Sequence, residues 1–167
     1  MTTTIDSPRL VLTKAGAEDV DALHALWIDP GVRRYLWDDV VISRERAAQV
    51  VQASRASFGT RGFGIWMAHL RTGRLAGFAG LRALDDDVEL LVGIAPDLWR
   101  QRLGAEAAGA VLRFAFDRLA LPRVIGHADP PNQASIRLME SLGMRSVGRV
   151  VIDGLDLMRY TIEAAPD

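Results

Sequence analysis

Residues 89 to 107 read Glu-Leu-Leu-Val-Gly-Ile-Ala-Pro-Asp-Leu-Trp-Arg-Gln-Arg-Leu-Gly-Ala-Glu-Ala, and this stretch decides the fold. From Val88 to Ala95 the chain is apolar apart from Glu89 and rich in β-branched residues, which predicts a strand buried on both faces. Pro96 ends the strand because proline cannot donate to the ladder. From Gly104 to Leu119 apolar residues recur at helical spacing, and small residues open the segment, so we expect a helix packed closely on a sheet.

A short basic loop, Arg100-Gln101-Arg102-Leu103, separates the predicted strand from the predicted helix. The first amides of a helix lack partners within the helix and lie at the positive end of its dipole. Together with two guanidinium groups, these amides predict an anion-binding site. On this stretch alone, an ordinary turn with two solvated arginines explains the residues equally well.

Length and composition limit the classes of protein to consider. The 167 residues suit one domain spanning residues 1–167, and 49% apolar with 25% charged residues is typical of a soluble globular chain. No membrane-length apolar run and no secretory signal is visible, so we expect a cytoplasmic protein without a membrane partner. A formal net charge of −1 argues against nucleic acid as a partner.

Cysteine and histidine usage restricts the chemistry further. The absence of Cys excludes disulfides, thiolate-bound metals and a covalent Cys intermediate. His24, His69 and His127 are scattered without the spacing of metal ligands, so we interpret them as structural or exposed and expect no metal. Whether the protein is a monomer or a homodimer is left open.

The remaining segments give the order β-α-α-β-β-β-α-β-α-β-β, which predicts an α/β fold with a mixed sheet in the middle and helices on its faces. Ser43 and Asn132 are expected helix N-caps, and Asp153-Gly154 is a strong hairpin turn. In the first half of the chain, the other expected elements are a strand at 9–13, a helix that begins after a cap at Gly16 and ends near residues 29–31, a connecting loop at 32–42, a helix at 43–57, a flexible link at 59–64, and a hairpin at 65–70 and 75–81. In the second half they are a strand at 123–128, a short helix ending at 142, and strands at 145–152 and 155–162.

The connecting loop from Val32 to Ile42 carries two aromatic residues, Tyr35 and Trp37. Loops that expose aromatic side chains often line binding sites, so both residues are candidate contacts for a substrate. The alternative is that each ring closes the edge of the core.

The whole order and its motifs resemble the GNAT N-acetyltransferases, specifically the RimJ/RimL-like branch. The opening strand is similar over Ser7 to Leu12, and the signature Asn132-x-x-Ser135 is followed by a Leu-Gly-Met that resembles the branch's Leu-Gly-Phe. The branch's pattern around the deciding stretch is echoed at Glu89, Pro96, Trp99, Gly104, Glu106 and Ala107, although Leu91 and Val92 replace its Gly-Tyr.

This resemblance implies binding of acetyl-CoA as co-substrate. The family's pyrophosphate loop corresponds to residues 99–104, with Arg102 at the place of its first glycine, and the central strand edge pairs with the pantetheine arm. The implied donor-binding residues are Leu91, Val92, Gly93 and Ile94 on the strand, Arg100, Gln101, Arg102, Leu103, Gly104 and Ala105 in the loop and helix start, and Asn132 and Ser135.

The resemblance also implies catalytic roles for two residues. Glu89 corresponds to a glutamate that acts as general base on the amine, directly or through water, and would also contact the acceptor; a solvated strand-end carboxylate is the alternative. Ser135 corresponds to a hydroxyl that protonates the departing thiolate, with helix capping as its alternative. Because Met139 stands where many relatives have tyrosine, this proton comes from Ser135 or from water.

We therefore expect direct transfer of the acetyl group of acetyl-CoA to a primary amine, either a protein N-terminus or a small molecule. Acidic residues would rim the acceptor mouth or merely be solvated: Asp38, Asp39, Asp85, Asp86 and Asp87. A non-catalytic acyl-CoA-binding or sensing protein on the same fold is the competing interpretation. A nucleotide-binding regulator that uses the anion loop is a weaker one.

Overall fold

The computed structural model describes residues 3–166, and its eight strands lie in one mixed sheet of order β1-β2-β3-β4-β5-β6-β8-β7. The strands are β1 (Ile5–Asp6), β2 (Leu10–Lys14), β3 (Ile65–Leu70), β4 (Leu75–Leu84), β5 (Asp87–Ile94), β6 (Arg123–Ala128), β7 (Arg145–Ile152) and β8 (Leu155–Glu163). The helices are α1 (Val20–Ile28), α2 (Pro30–Leu36), α3 (Arg44–Arg61), α4 (Leu103–Asp117) and α5 (Gln133–Ser141).

The sheet is interrupted where β5 meets β6. All other neighbouring strands pair antiparallel over at least two residues, whereas β5 and β6 run parallel and share one paired position, Glu89 with Ile125. Beyond Glu89 the two strands therefore diverge. The last four residues of β5, from Leu91 to Ile94, form one side of an open gap.

Two hydrophobic cores lie on opposite faces of the sheet. Alternate residues of a strand point to opposite faces, and in β3 Trp66 packs in one core whereas Met67 packs in the other. The first core contains α4 and the half-buried apolar residues of α5, and the second contains α1, Val32 of α2, and α3. We call the corresponding sides of the sheet the α4 face and the α1 face.

Several local predictions are confirmed by the cap and turn geometry. The hydroxyl of Ser43 accepts a hydrogen bond from the amide of Arg46 at 3.0 Å, as expected for an N-cap. Asp153 and Gly154 have φ of 49° and 78°, which suits the tight turn of a hairpin that joins β7 and β8.

Two helix predictions are wrong. The segment predicted as a loop from Val32 begins as helix α2, because Pro30 occupies the first turn and the side chain of Asp29 accepts a hydrogen bond from the amide of Gly31 at 2.8 Å. The seven residues of α2 are too few to show a clear helical period. The predicted flexible link is partly helix as well, since α3 continues to Arg61 and ends at Gly62, whose φ of 81° favours glycine.

The prediction that β5 is buried on both faces is also wrong in its second half. Glu89, Leu90 and Ile94 are buried, but the three residues between them are only half-buried. The reason is the divergence of β6, which removes the neighbouring strand that would cover this part of β5. An apolar run thus belongs to a strand that borders an open gap.

Candidate functional site

The open edge of β5 presents backbone groups to the gap. A Cβ atom added at Gly77 of β4 would overlap the carbonyl oxygen of Gly93, so this carbonyl points toward β4. Because backbone groups of successive residues in a strand point to opposite sides, Val92 directs its amide and carbonyl into the gap. The carbonyl of Ile94 already accepts a hydrogen bond from the indole Nε1 of Trp99 at 2.8 Å.

The basic loop follows this edge and leads into α4. Arg100 and Arg102 both have positive φ, 65° and 61°, in the left-handed region that glycine adopts without cost. Their side chains are exposed. Arg102 is the N-cap residue of α4, but its side chain makes no capping hydrogen bond, and the first backbone bond into the helix comes from the amide of Glu106 to the carbonyl of Arg102 at 3.1 Å.

The helix start therefore has donors to spare. The amides of Leu103, Gly104 and Ala105 precede the first intrahelical bond and have no capping side chain from the N-cap residue. A Cβ atom on Gly104 would lie 2.9 Å from Leu138 of α5 and 3.5 Å from Ile94, so glycine allows the helix start to approach β5 closely. Amides without intrahelical partners, two exposed guanidiniums and a close-packed glycine together form a site suited to a phosphate-type anion.

A row of polar side chains crosses the α1 face beside the gap. It consists of Arg82 of β4, Glu89 of β5, His127 of β6 and Arg159 of β8, each beside the next in the strand pairing or by hydrogen bond. Arg82 forms an ion pair with Oε2 of Glu89, and Nδ1 of His127 lies 2.9 Å from Oε1. Nε of Arg159 lies 2.9 Å from Nε2 of His127.

The direction of these bonds follows from which groups can only donate. The Nε–H of Arg159 is a donor, so Nε2 of His127 accepts, and the hydrogen on the other ring nitrogen is donated to Glu89. The side chains of Glu89 and His127 are 8% and 5% exposed. Burial acts to raise the pKa of Glu89, but the hydrogen bond from His127 and the charge of Arg82 outweigh it and lower the pKa below its ordinary value.

Ser135 belongs to a helix on the other side of the sheet. It lies in the first turn of α5, which packs on the α4 face, and its amide donates to the side chain of Asn132 at 3.2 Å. Asn132 is therefore the N-cap of α5, as the capping interpretation predicts. The hydroxyl of half-buried Ser135 has no hydrogen-bond partner between residues 3 and 166. Met139, one turn further along, is buried against Gly126 of β6.

The two candidate aromatic residues differ in their surroundings. Trp37 packs edge-on against Trp27 of α1 with ring centroids 5.6 Å apart, and the guanidinium of Arg46 lies 5.9 Å from its ring. This packing supports the core-edge interpretation for Trp37, although its buried indole Nε1 has no hydrogen-bond partner in the described part of the chain. Tyr35 is half-buried in α2 and carries the guanidinium of Arg34 at 5.2 Å.

The acidic residues expected at the acceptor mouth do not form one cluster of free charges. Asp39 is paired with Arg33, and Asp87 is paired with Arg123. Asp38 instead acts on Asp129, the residue that follows β6. Burial, reinforced by the charge of Asp38, raises the pKa of Asp129 above its ordinary value.

Sequence reasoning missed the role of His127 and interpreted all three histidines alike. His127 comes close to Glu89 because side chains alternate between the two faces along β6 and because β5 pairs with β6 in parallel. The register of this pairing, Glu89 with Ile125, could not be read from the sequence. Within residues 3–166, no group of three or more His, Asp or Glu side chains is arranged to hold a metal ion. No helix in this range is long and apolar enough to cross a membrane.

Comparisons with known proteins agree with this geometry. Two bacterial relatives are 27% identical to the chain: the uncharacterized N-acetyltransferase p20 of Bacillus licheniformis over 152 residues, 87% of this chain and 84% of the relative, and the uncharacterized N-acetyltransferase YoaA of Bacillus subtilis (strain 168) over 148 residues, 86% and 84%. Both names describe acetyl transfer to nitrogen.

A solved structure of RimL, a ribosomal L7/L12 alpha-N-protein acetyltransferase, in complex with coenzyme A has the same fold. It matches with a TM-score of 0.83 over 98% of this chain and 99% of that chain, at 20% identity. At this identity the likeness shows the fold. The domain profile of the GNAT acetyltransferases matches residues 9–145. The chain therefore belongs to the GNAT acetyltransferase family, whose members use acetyl-CoA.

Proposed function

We propose that this protein transfers the acetyl group of acetyl-CoA to a primary amine by direct attack, without a covalent enzyme intermediate. The observation that carries the proposal is the arrangement at the gap: a free strand edge runs into an uncapped helix start, and Glu89 lies beside this edge on the α1 face of the sheet. Ser135, on a helix of the opposite face, is the proposed partner of the leaving group. The absence of Cys agrees with direct transfer.

Backbone groups along the gap would hold the donor, acetyl-CoA; we call this part of the site, residues 91–105, the donor half. The amide and carbonyl of Val92 are available to pair with an extended arm in the gap, as in the addition of a strand. The amides of Leu103 to Ala105, with Arg100 and Arg102, would bind the diphosphate. Bound acetyl-CoA would supply an activated thioester carbonyl to the amine.

Glu89 would bind and deprotonate the acceptor amine; we call the row of side chains around it the acceptor half of the site. Because the pKa of Glu89 is lowered below the ordinary value of a glutamate, this side chain is a carboxylate at neutral pH. It is therefore suited to hold the incoming ammonium and to take a proton from it through water, but the driving force for that transfer is small. His127 and Arg82 keep the carboxylate in place.

The leaving group would meet Ser135. Its hydroxyl is free of other hydrogen bonds in the described range and can give its proton to the thiolate, then recover one from water. The nitrogen of the ammonium loses two protons in all: one passes through water and Glu89 to the solvent, and the other balances the proton that the thiolate gains, so the overall reaction needs no further reactant. Water alone is the alternative donor.

The acceptor is a protein N-terminus or a small-molecule amine. The first is supported by the fold shared with RimL, which acts on a ribosomal protein by its printed name. Tyr35 and Trp37, near the second core, are the candidate contacts for the acceptor chain beyond its amine.

Binding and turnover test this proposal separately. Acetyl-CoA should raise the midpoint of thermal unfolding because it binds only the native state, and ATP at the same concentration should raise it much less. Release of free thiol should then be followed with a panel of peptides and small amines. Binding without thiol release for any amine would favour an acyl-CoA sensor, an equal shift with ATP would favour a nucleotide regulator, and no shift with acetyl-CoA would refute the proposal.

A further inference from the structure

The turn between β1 and β2 contacts the start of α4 through one half-buried carboxylate, that of Glu106. Oε1 of Glu106 accepts from the hydroxyl of Ser7 and from the amide of Arg9, each at 2.7 Å, and Oε2 accepts from Nε of Arg9 at 2.7 Å. The same guanidinium donates from Nη1 to the backbone carbonyl of Gln101 at 2.9 Å. We call Arg9, Glu106 and this carbonyl the loop brace.

The loop brace differs from an ordinary surface ion pair. The side chain of Glu106 is 13% exposed and uses both oxygens, whereas both side chains of the pair Arg145–Glu163 are more than 60% exposed and lie 3.3 Å apart. Burial acts to raise the pKa of Glu106, but its bonds from Ser7 and Arg9 outweigh this and lower it. Glu106 is therefore a charged, fully engaged anchor for the guanidinium.

The carbonyl that Arg9 binds lies in the middle of the basic loop. It belongs to Gln101, which lies between Arg100 and Arg102, two residues of this loop with left-handed backbone conformations. Non-glycine residues keep such conformations only where surrounding contacts impose them. The indole of Trp99 fixes the loop at its start, through the carbonyl of Ile94, and Arg9 fixes it in the middle.

We propose that Arg9 is a positioning residue that, anchored by Glu106, holds the loop of residues 100–104 in the conformation that binds the diphosphate of the acyl donor. This inference rests on the proposed function. Arg9 acts on the loop through the carbonyl of Gln101 and not on the donor itself. This contact from Arg9, which immediately precedes β2, sustains the left-handed conformation at Arg102. A glycine at that position would adopt the same conformation freely.

If Arg9 positions the diphosphate loop, its loss should affect some ligands and not others, whereas a residue that only stabilises the fold would affect all of them. Removing the loop brace should lower the affinity for donors that carry the diphosphate and should not lower the affinity for pantetheine, which lacks the diphosphate. Without the contact from Arg9, the loop would have to be ordered at the moment of binding, and that cost would appear as lost affinity.

The test measures dissociation constants of coenzyme A and of pantetheine for matched variants. Arg9→Met should weaken coenzyme A about tenfold, the equivalent of one hydrogen bond from a charged group, and leave pantetheine within about twofold. Arg9→Lys keeps a charge beside Glu106 but cannot also reach Gln101, so it should give a similar loss with less risk to folding. Arg71→Met is the matched control, because Arg71 binds the carbonyl of Ser7 and pairs with Asp6 but does not touch the loop.

A second comparison uses the strained residue. In an Arg102→Gly background the loop should need less support, so Arg9→Met should cost less coenzyme A affinity there than in the parent. Equal weakening of both ligands by the Arg9 variants, or parental affinity for coenzyme A, would overturn the proposal. Failure of the parent itself to bind coenzyme A would instead refute the proposed function, which distinguishes the two outcomes.

Discussion

The donor half and the acceptor half of the gap are built in different ways. The donor half, residues 91–105, is one continuous segment that offers backbone groups and the two guanidiniums of Arg100 and Arg102. The acceptor half is a row of side chains from four strands, with Glu89 and His127 brought together although they are 38 positions apart. Changes in the first half should therefore affect donor binding and backbone strain, and changes in the second should affect rate and its dependence on pH.

The largest expected effect tests the acceptor half. Glu89→Gln keeps the size and the bond to His127 but removes the charge, and should lower turnover of a lysine-like amine by about 10² to 10⁴-fold near neutral pH. The defect should shrink as pH rises, because the amine then loses its proton unaided. A peptide α-amine, with a pKa of about 7.7 to 8.0, should show a smaller defect than a lysine near about 10.4.

The matched control for this variant is Glu163→Gln, which removes an exposed carboxylate paired with Arg145 at the opposite end of β8 from the hairpin turn. It should leave turnover unchanged. The measurement is the steady-state turnover of Glu89→Gln, Glu163→Gln and the parent from pH 6 to 10. Parental turnover by Glu89→Gln throughout this range would mean that positioning alone explains catalysis on the acceptor side.

Ser135→Ala tests whether a residue of the α4 face acts on the leaving group. The expected loss is about 10²-fold in turnover or less, since water can replace the hydroxyl, and the affinity for acetyl-CoA should hardly change. Asn132→Ala provides the contrast: it should lower the free energy of unfolding by about 1 kcal/mol through loss of the N-cap. If Ser135→Ala keeps parental turnover, the hydroxyl of Ser135 does not act on the leaving group and water supplies the proton.

His127→Ala tests the polar row through stability and its pH dependence. Loss of the hydrogen bond to the Glu89 carboxylate should lower the free energy of unfolding by about 1.5 to 3 kcal/mol at pH 7. Since the folded-state pKa of Glu89 is lowered, its stabilising contribution is complete above the unfolded value near about 4.3 and is lost as pH falls through the folded value. The difference in the free energy of unfolding between His127→Ala and the parent should therefore become smaller in acid.

Urea unfolding at pH 7 and again below pH 4 measures this narrowing. His69→Ala is the comparison variant, because His69 makes no side-chain hydrogen bond within residues 3–166, and its effect should not depend on the state of Glu89. A difference for His127→Ala that stays constant with pH would show that the lost energy is packing and not the bond to the carboxylate.

The smallest effect concerns the donor half. Arg102→Gly should raise the free energy of unfolding by about 1 kcal/mol, because glycine adopts φ of 61° without the strain of a side chain. Arg102→Ala keeps the strain and should leave stability nearly unchanged. Both remove the charge, so calorimetry at several salt concentrations should show weaker coenzyme A binding and a flatter salt dependence for Arg102→Ala, with partial recovery for Arg102→Gly. Parental affinity of Arg102→Ala at low salt would mean that this side chain is solvated.

The donor half could be predicted because its information is local. Strand, loop and helix start are consecutive in the sequence, and Pro96, the basic loop and the small residues after Gly104 each mark a boundary. The structure has this loop between β5 and α4, as predicted, whereas its role in donor binding stays a prediction. Arg102 has the left-handed conformation that a glycine at this position would adopt freely.

Other features could not be read because they depend on packing between distant segments. Helix α2 is too short for a periodic pattern, and it forms where Pro30 and the cap Asp29 meet the second core. The half-burial of β5 depends on where β6 diverges. Neither the lowered pKa of Glu89 nor the use of His127 could be predicted, since both require the register of β5 against β6.

The sequence by itself determined the order of the elements apart from β1 and α2, most of their boundaries, the family and the position of the basic loop between β5 and α4, because caps, turns and apolar periods act over a few neighbouring residues. Only the tertiary structure decided which charges meet. It aligned Arg82, Glu89, His127 and Arg159 across four strands, and it set Arg9 against Gln101. The physical reason is that side-chain hydrogen bonds form between residues separated by up to about a hundred positions only after sheet register and helix packing have fixed where each strand lies.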